Sequence, residues 1–416
     1  METKKKKIVD SDIFGVWSKE CAEFLKNTLT ALSKDIDEVI LQGELPETEK
    51  QLILQKINPY LEDLLTQVDS ITNNACRNAA IHELISYILR DLHLSDKIRY
   101  VICVSGFLLT HPLVKDILRK FGFGGFFPNT TKSLGDYKTK NFEFFVIFIS
   151  PIILEDRAYW PAISHELGHI IERLYGIVET VHREVSMRKA ETTKGRYYFH
   201  SREYVSDYIA SAYFGPVYFD VVYELLHELK IIQHGIGTHP PYNARLHFLK
   251  ETLPEINSAK TISEKGLKEK YTDIENIGEI ITRVRDVLTQ IDKERAKSGD
   301  QPIFSNRING ESEESSVIAR LKEELPSLVH PRVLLNAFWP KRDELLKELQ
   351  ERARKIGKDP GDVSGKIAAL IDDSIRLTNM KRTYDFMVKD MARKKEEKED
   401  QVNEDCQGGY AEAERR

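Results

Sequence analysis

The stretch Asp156-Arg157-Ala158-Tyr159-Trp160-Pro161-Ala162-Ile163-Ser164-His165-Glu166-Leu167-Gly168-His169-Ile170-Ile171-Glu172-Arg173-Leu174-Tyr175-Gly176 decides how this chain is read. Trp160, Ile163, Leu167, Ile170, Ile171 and Leu174 recur at intervals of three and four, which predicts a helix from Asp156 to Tyr175 stopped by Gly176. Positions i and i+4 share a helical face, so His165 and His169 can aim both imidazoles at one Zn²⁺ per chain. Glu166, one residue along, then flanks the ion where a base for water is needed.

A catalytic zinc takes three protein ligands and keeps one position open, so a third donor must come from elsewhere. In Arg202-Glu203-Tyr204-Val205-Ser206-Asp207-Tyr208-Ile209-Ala210, Glu203 and Asp207 again stand at i and i+4 on one predicted helix, Arg202 to Phe214. Glu203 is the expected third ligand. Asp207 is expected to accept the outer N–H of a ligand imidazole, which fixes the tautomer and raises the basicity of the ring. Glu172, Glu179, His182, Glu184 and His200 compete for the ligand role. Glu172 and Tyr175 stand where the extended metzincin pattern would require Gly and His, which disfavours that class.

Working outward, Ile98 to Val104 and Asn141 to Ser150 are runs of branched and aromatic residues and predict two strands. A helix is expected from Pro112 to Phe121, and a loop from Gly122 to about Lys140. Apolar spacing predicts helices from Ile13 to about Leu94, with Leu61, Leu64, Leu65, Val68 and Ile71 on one stripe, and again at Val217 to Lys230 and after His239-Pro240-Pro241. Beyond Glu255 the residues are charged and helix-favouring, broken by a polar loop around Gly299 to Ser316. The expected organisation is a flexible basic N-terminus (1–12), a helical region (13–94), a core (95–256), a charged helical region (257–392) and a disordered charged tail (393–416).

The 416 residues suggest two or three units, and 41% hydrophobic residues suffice for a real core. Lys+Arg 61 against Asp+Glu 66 leaves no basic excess for phosphate, so no nucleic-acid partner is expected. Four scattered cysteines suggest neither a disulfide framework nor a metal clip, which fits a cytoplasmic protein. The longest apolar run, Phe144 to Leu154, is well short of the roughly 20 residues of a spanning helix, so no membrane partner is expected either.

His165 to His169 followed by Glu203-x-x-x-Asp207 resembles the gluzincin group of zinc peptidases. Glu203, Asp207, Ala210 and Pro216 are similar to a segment of ImmA/IrrE-type peptidases. Thr238-His239-Pro240-Pro241 with Arg245 resembles the His-Pro…Arg segment of CAAX-processing and HtpX-type peptidases. The resemblance covers about Arg99 to Leu253, within a chain whose two strands among helical patterns already point to an α+β, predominantly helical protein. Its zincin-like core would hold a small sheet and the active-site helix, flanked by helical regions. It implies a peptide or protein substrate, with His239 stabilising the oxyanion and Arg245 lining the cleft. Read from the residues alone, Thr238 to Pro241 is a helix start with Arg245 on its surface. By the same resemblance the Asn141 to Ser150 strand would pair as an edge with extended substrate, whereas the residues alone suit an ordinary core strand. The leading expectation is a zinc metallopeptidase. The alternative is a zinc-binding regulatory protein whose flanking helices recognise a protein partner.

Overall fold

A computed structural model describes residues 19–41, 44, 46–52, 55, 76, 78–104, 109–112, 128–138, 142–182, 193–228, 239–253, 271–304 and 311–413. The expected N-terminus 1–12, the stripe from Leu61 to Ile71 and residues 113–121 of the expected helix lie outside them. The protein is predominantly helical with one small sheet, as composition and periodicity predicted. Among the described residues no helix is long and apolar enough to cross a membrane.

Strands β1 (Ile98–Val104), β2 (Leu109–Pro112) and β3 (Glu143–Ile149) form a sheet of order β1-β3-β2. β1 and β3 run parallel with Val101 opposite Val146, while β2 is antiparallel with His111 opposite Val146. Two expectations change here. Pro112 ends a third strand rather than opening a helix, and β3 lies between two partners, so it is a core strand and has no free edge for substrate. The edge beyond β3 belongs to β2.

Helices α1 (Lys19–Asp35) and α2 (Ala79–Asp91) precede the sheet, and α3 (Pro128–Lys138) lies between β2 and β3. α3 occupies ground expected to be loop, and its cause is non-local. The Asp35 carboxylate, at the end of α1, accepts from the backbone N–H of Asn129 at 2.9 Å and of Thr130 at 2.7 Å. A carboxylate on the first free N–H groups starts the helix despite its polar sequence.

After β3 come the short α4 (Pro151–Glu155), a 3-10 turn (Arg157–Ala162) and α5 (Ile163–Tyr175). Gly176 ends α5 in the left-handed region at φ 56°, the conformation glycine adopts without a Cβ penalty. α6 (Ile177–Val181), α7 (Thr193–Phe214), α8 (Pro216–Tyr223) and α9 (Tyr242–Thr252) complete the core. α7 packs along α5. Trp160, Phe145, Phe214, Phe219 and Phe248 are fully buried around this pair.

The C-terminal region is α10 (Ile277–Lys297), α11 (Glu311–Lys322), α12 (Pro331–Lys355) and α13 (Asp362–Ala413). α11 starts inside the expected polar loop, because Val317 and Leu321, at i and i+4, bury completely. α13 runs on through the tail expected to be disordered. Glu, Lys, Arg and Ala there favour helix by backbone propensity, which a forecast based on missing apolar burial leaves out of account.

Asp91 joins the two halves. At 2% exposure it accepts from Tyr213 of α7 at 2.8 Å, Arg295 of α10 at 3.2 Å and Arg382 of α13 at 2.9 Å. His330, which caps α12, adds its Nε2 at 2.7 Å. The His330 Nδ1 accepts from the Arg332 N–H, so the Nε2 carries the proton donated to Asp91. Burial opposes the charge on Asp91, yet His330, Arg382 and Arg295 outweigh it and hold the carboxyl well below the usual carboxylate range.

Candidate metal centre

Close helix contact builds the site. A Cβ on Gly168 would lie 2.7 Å from both Cα and carbonyl oxygen of Ser206, so only glycine lets α5 and α7 meet backbone to backbone. That approach brings the Glu203 carboxylate between the two imidazoles. Its Oε2 is 3.3 Å from His165 Nε2, and its Oε1 is 3.3 Å from His169 Nε2. All three side chains are nearly or fully enclosed.

The outer nitrogens are held from α7 as well. His165 Nδ1 is 2.9 Å from Asp207 Oδ1, and Asp207 is fully buried. Tyr218 donates to Asp207 at 2.6 Å, and Arg245 clamps it with Nε and Nη2, each at 2.7 Å. His169 Nδ1 is 2.8 Å from Ser206 Oγ, which donates its single proton to the Arg202 carbonyl at 2.9 Å. The hydroxyl must therefore accept from His169 Nδ1–H, which leaves Nε2 as a bare lone pair.

Electrostatics sharpen this. Burial pushes the His169 pKa down to about 3, so the ring is neutral. Its Nε2 lone pair then faces a carboxylate oxygen across 3.3 Å, acceptor against acceptor. Burial also disfavours a charge on His165, but Asp207 more than compensates and raises its pKa to about 9. Burial opposes the charge on Glu203, yet the His169 and His165 rings outweigh it and hold the carboxyl well below the usual carboxylate range. Glu203 Oε2 is buried without a hydrogen bond. Three carboxylates, Glu166, Glu203 and Asp207, meet the Arg245 guanidinium and the His165 ring, so acidic groups outnumber basic ones and a cation offsets the excess. Donor set, orphaned oxygen and opposed lone pairs all fit a metal ion.

Glu166 is 1% exposed, and its carboxylate lies within 4.8 Å of the ligating atoms of His165 and His169. Two carboxylates thus flank the imidazole pair. Glu166 sits one residue off the His165–His169 face, whereas Glu203 meets both Nε2 atoms, so ligand geometry favours Glu203.

The remaining candidates separate cleanly. His239 stands at the mouth, 38% exposed, with Nε2 3.6 Å from Glu203 Oε1. Arg245, expected to line the cleft or sit on the surface of its helix, is instead buried and engaged by Asp207, with only Nη1 turned toward Glu203 at 3.7 Å. It braces the site. Glu172 is neutralised by Arg202 at 2.7 Å, and Glu179 is exposed. His182 Nε2 lies 3.5 Å from Ser201 Oγ. His200 is buried on α7, its pKa pushed down to about 4, first by burial and then by Arg196. Glu184 and Thr238 lie outside the described residues.

Sequence reasoning missed Tyr218 and Ser206. Tyr218 hides in the apolar run Val217 to Tyr223, and its reach to Asp207 depends on how α8 docks. Ser206 had a readable signal, since position i+3 from Glu203 shares its face. No known protein family, curated protein or solved structure matches the chain.

Proposed function

We propose that this protein is a zinc-dependent hydrolase of peptide bonds with a zincin-like core. The observation that carries the reading is the neutral His169 Nε2 opposed to a Glu203 oxygen at 3.3 Å in a buried site, an arrangement that a cation between them makes favourable. His165, His169 and Glu203 would hold the zinc. When bound, it supplies Lewis acidity, polarising a substrate carbonyl and lowering the pKa of water at the site toward about 7.

The chain's own groups do the rest. Glu166 takes the proton of the attacking water on its carboxylate and passes it to the leaving amine. His239, at the open side, faces the oxygen that becomes negative and shares its charge. Asp207 and Ser206 keep the Nδ1–H tautomers of His165 and His169, and Tyr218 and Arg245 fix Asp207 in turn. The β2 edge, packed near α5, offers backbone groups to an extended peptide.

A second reading follows from His239. Its Nε2 lies close enough to Glu203 to serve as a fourth donor, which would close the site and make the protein a zinc-binding regulator.

Zinc-loaded protein is expected to cleave members of a peptide library. Chelation should abolish cleavage and added zinc should restore it. Bound zinc with no cleavage of any peptide would shift support to the regulatory reading, and failure to bind zinc would end both.

A further inference from the structure

α13 outgrows the body that holds it. Up to Thr383 one side of this helix is packed, with Ile371, Ser374, Ile375, Thr378 and Asn379 buried. Arg382 then reaches Asp91, and Arg90 of α2 contacts Asn379 and Thr383. Beyond that anchor every described side chain as far as Ala392 is exposed.

The exposed side is not polar. Leu377, Met380, Tyr384, Met387 and Met391 are 39%, 68%, 67%, 57% and 68% exposed, and their spacing of 3-4-3-4 is a coiled-coil seam. Val388 flanks it at 47%. Taking roughly 200 Å² for a large side chain in full exposure, these residues offer on the order of 700 Å² of apolar surface. That exceeds the few hundred Å² a monomer ordinarily shows and approaches the roughly 800 Å² one partner contributes to a standard interface.

We propose that this face is a self-association surface on which a second copy of the chain docks with its α13 antiparallel. Charge selects that orientation. The run Arg376 to Lys395 is basic, and Glu396, Glu397, Glu399 and Asp400 follow it. An antiparallel seam places Met380 across from Met391 and Tyr384 across from Met387, and brings Arg376 level with Glu397 of the other copy. A parallel seam would instead set Lys394, the next seam position, against itself and bring Arg376 level with Lys381 of the other copy. Two isologous seams of this kind close as a C2 dimer.

The test uses the full chain. Sedimentation equilibrium from about 1 to about 100 μM should give twice the chain mass. Met387→Glu, at an exposed position that leaves the fold intact by circular dichroism, should raise the dissociation constant by at least roughly tenfold. For orientation, Met380→Cys and Met391→Cys chains are made in a background with Cys21 and Cys406 replaced by Ser. Mixed, they should form a disulfide-linked dimer, and neither should do so alone. A wild type that stays monomeric at about 100 μM, a dimer insensitive to Met387→Glu, or cross-linking of Met380→Cys with itself would each overturn the proposal. Neither zinc nor cleavage enters these readouts, so they stand apart from the hydrolase reading.

Discussion

Glu166→Gln is expected to keep one zinc per chain and to lose hydrolysis by about 10²- to 10⁴-fold, the contribution of a positioned general base. Glutamine fills the same buried volume beside His165 and His169, so the helix and its ligands are undisturbed. Its amide cannot accept the proton that the carboxylate removes from water. The comparison also separates the two carboxylates of the site. If Glu166→Gln loses zinc, Glu166 is a ligand and the assignment of Glu203 fails. If it keeps both zinc and full activity, proton transfer belongs to another group. The measurement is zinc content by mass spectrometry beside the turnover of one cleaved peptide.

Asp91→Ala is expected to cost about 3–5 kcal/mol of unfolding free energy, because it strands buried cationic partners rather than removing a neutral contact. Arg295, Arg382, His330 and Tyr213 all converge on this carboxylate from four other helices. Its folded-state pKa is depressed, so its stabilisation is complete above the ordinary aspartate value near 4 and drains away as the pH falls below it. Urea melts of the wild type should therefore lose stability on acidification below about pH 4. Asp91→Asn should be less stable at neutral pH and flatter across that window. A loss under about 1 kcal/mol, the scale of an exposed ion pair, would mean that Asp91 is not what holds the α10, α12 and α13 helices to the core.

How much of this was legible in the sequence follows the range of the forces involved. His165 with His169, and Glu203 with Asp207, were readable because one turn of helix fixes which side chains share a face, whatever the rest of the chain does. The stop at Gly176 was readable for the same reason. The convergence of the two pairs was not, since it depends on Gly168 letting α5 reach the backbone at Ser206. Arg245 looked like a surface or cleft residue because nothing near it in sequence reveals that Asp207 will claim its guanidinium. α3 and β2 escaped for a related reason. One starts on a carboxylate some ninety residues away, and the other exists only as a partner of β3. The α13 stripe was hidden by its charges, which dominate the composition of the tail while its apolar positions keep a strict spacing.

All of the chemistry proposed for this chain requires a single metal seated among the Nε2 atoms of His165 and His169 and the carboxylate of Glu203. Zinc K-edge absorption on the purified protein reads that seat directly. The account predicts two imidazoles at about 2.0–2.1 Å and a carboxylate oxygen at about 2.0–2.2 Å, with a further oxygen from solvent. It also predicts that Glu203→Ala removes the carboxylate and most of the zinc, while His239→Ala leaves the spectrum unchanged. A third imidazole that disappears in His239→Ala, or a spectrum indifferent to Glu203→Ala, would contradict it.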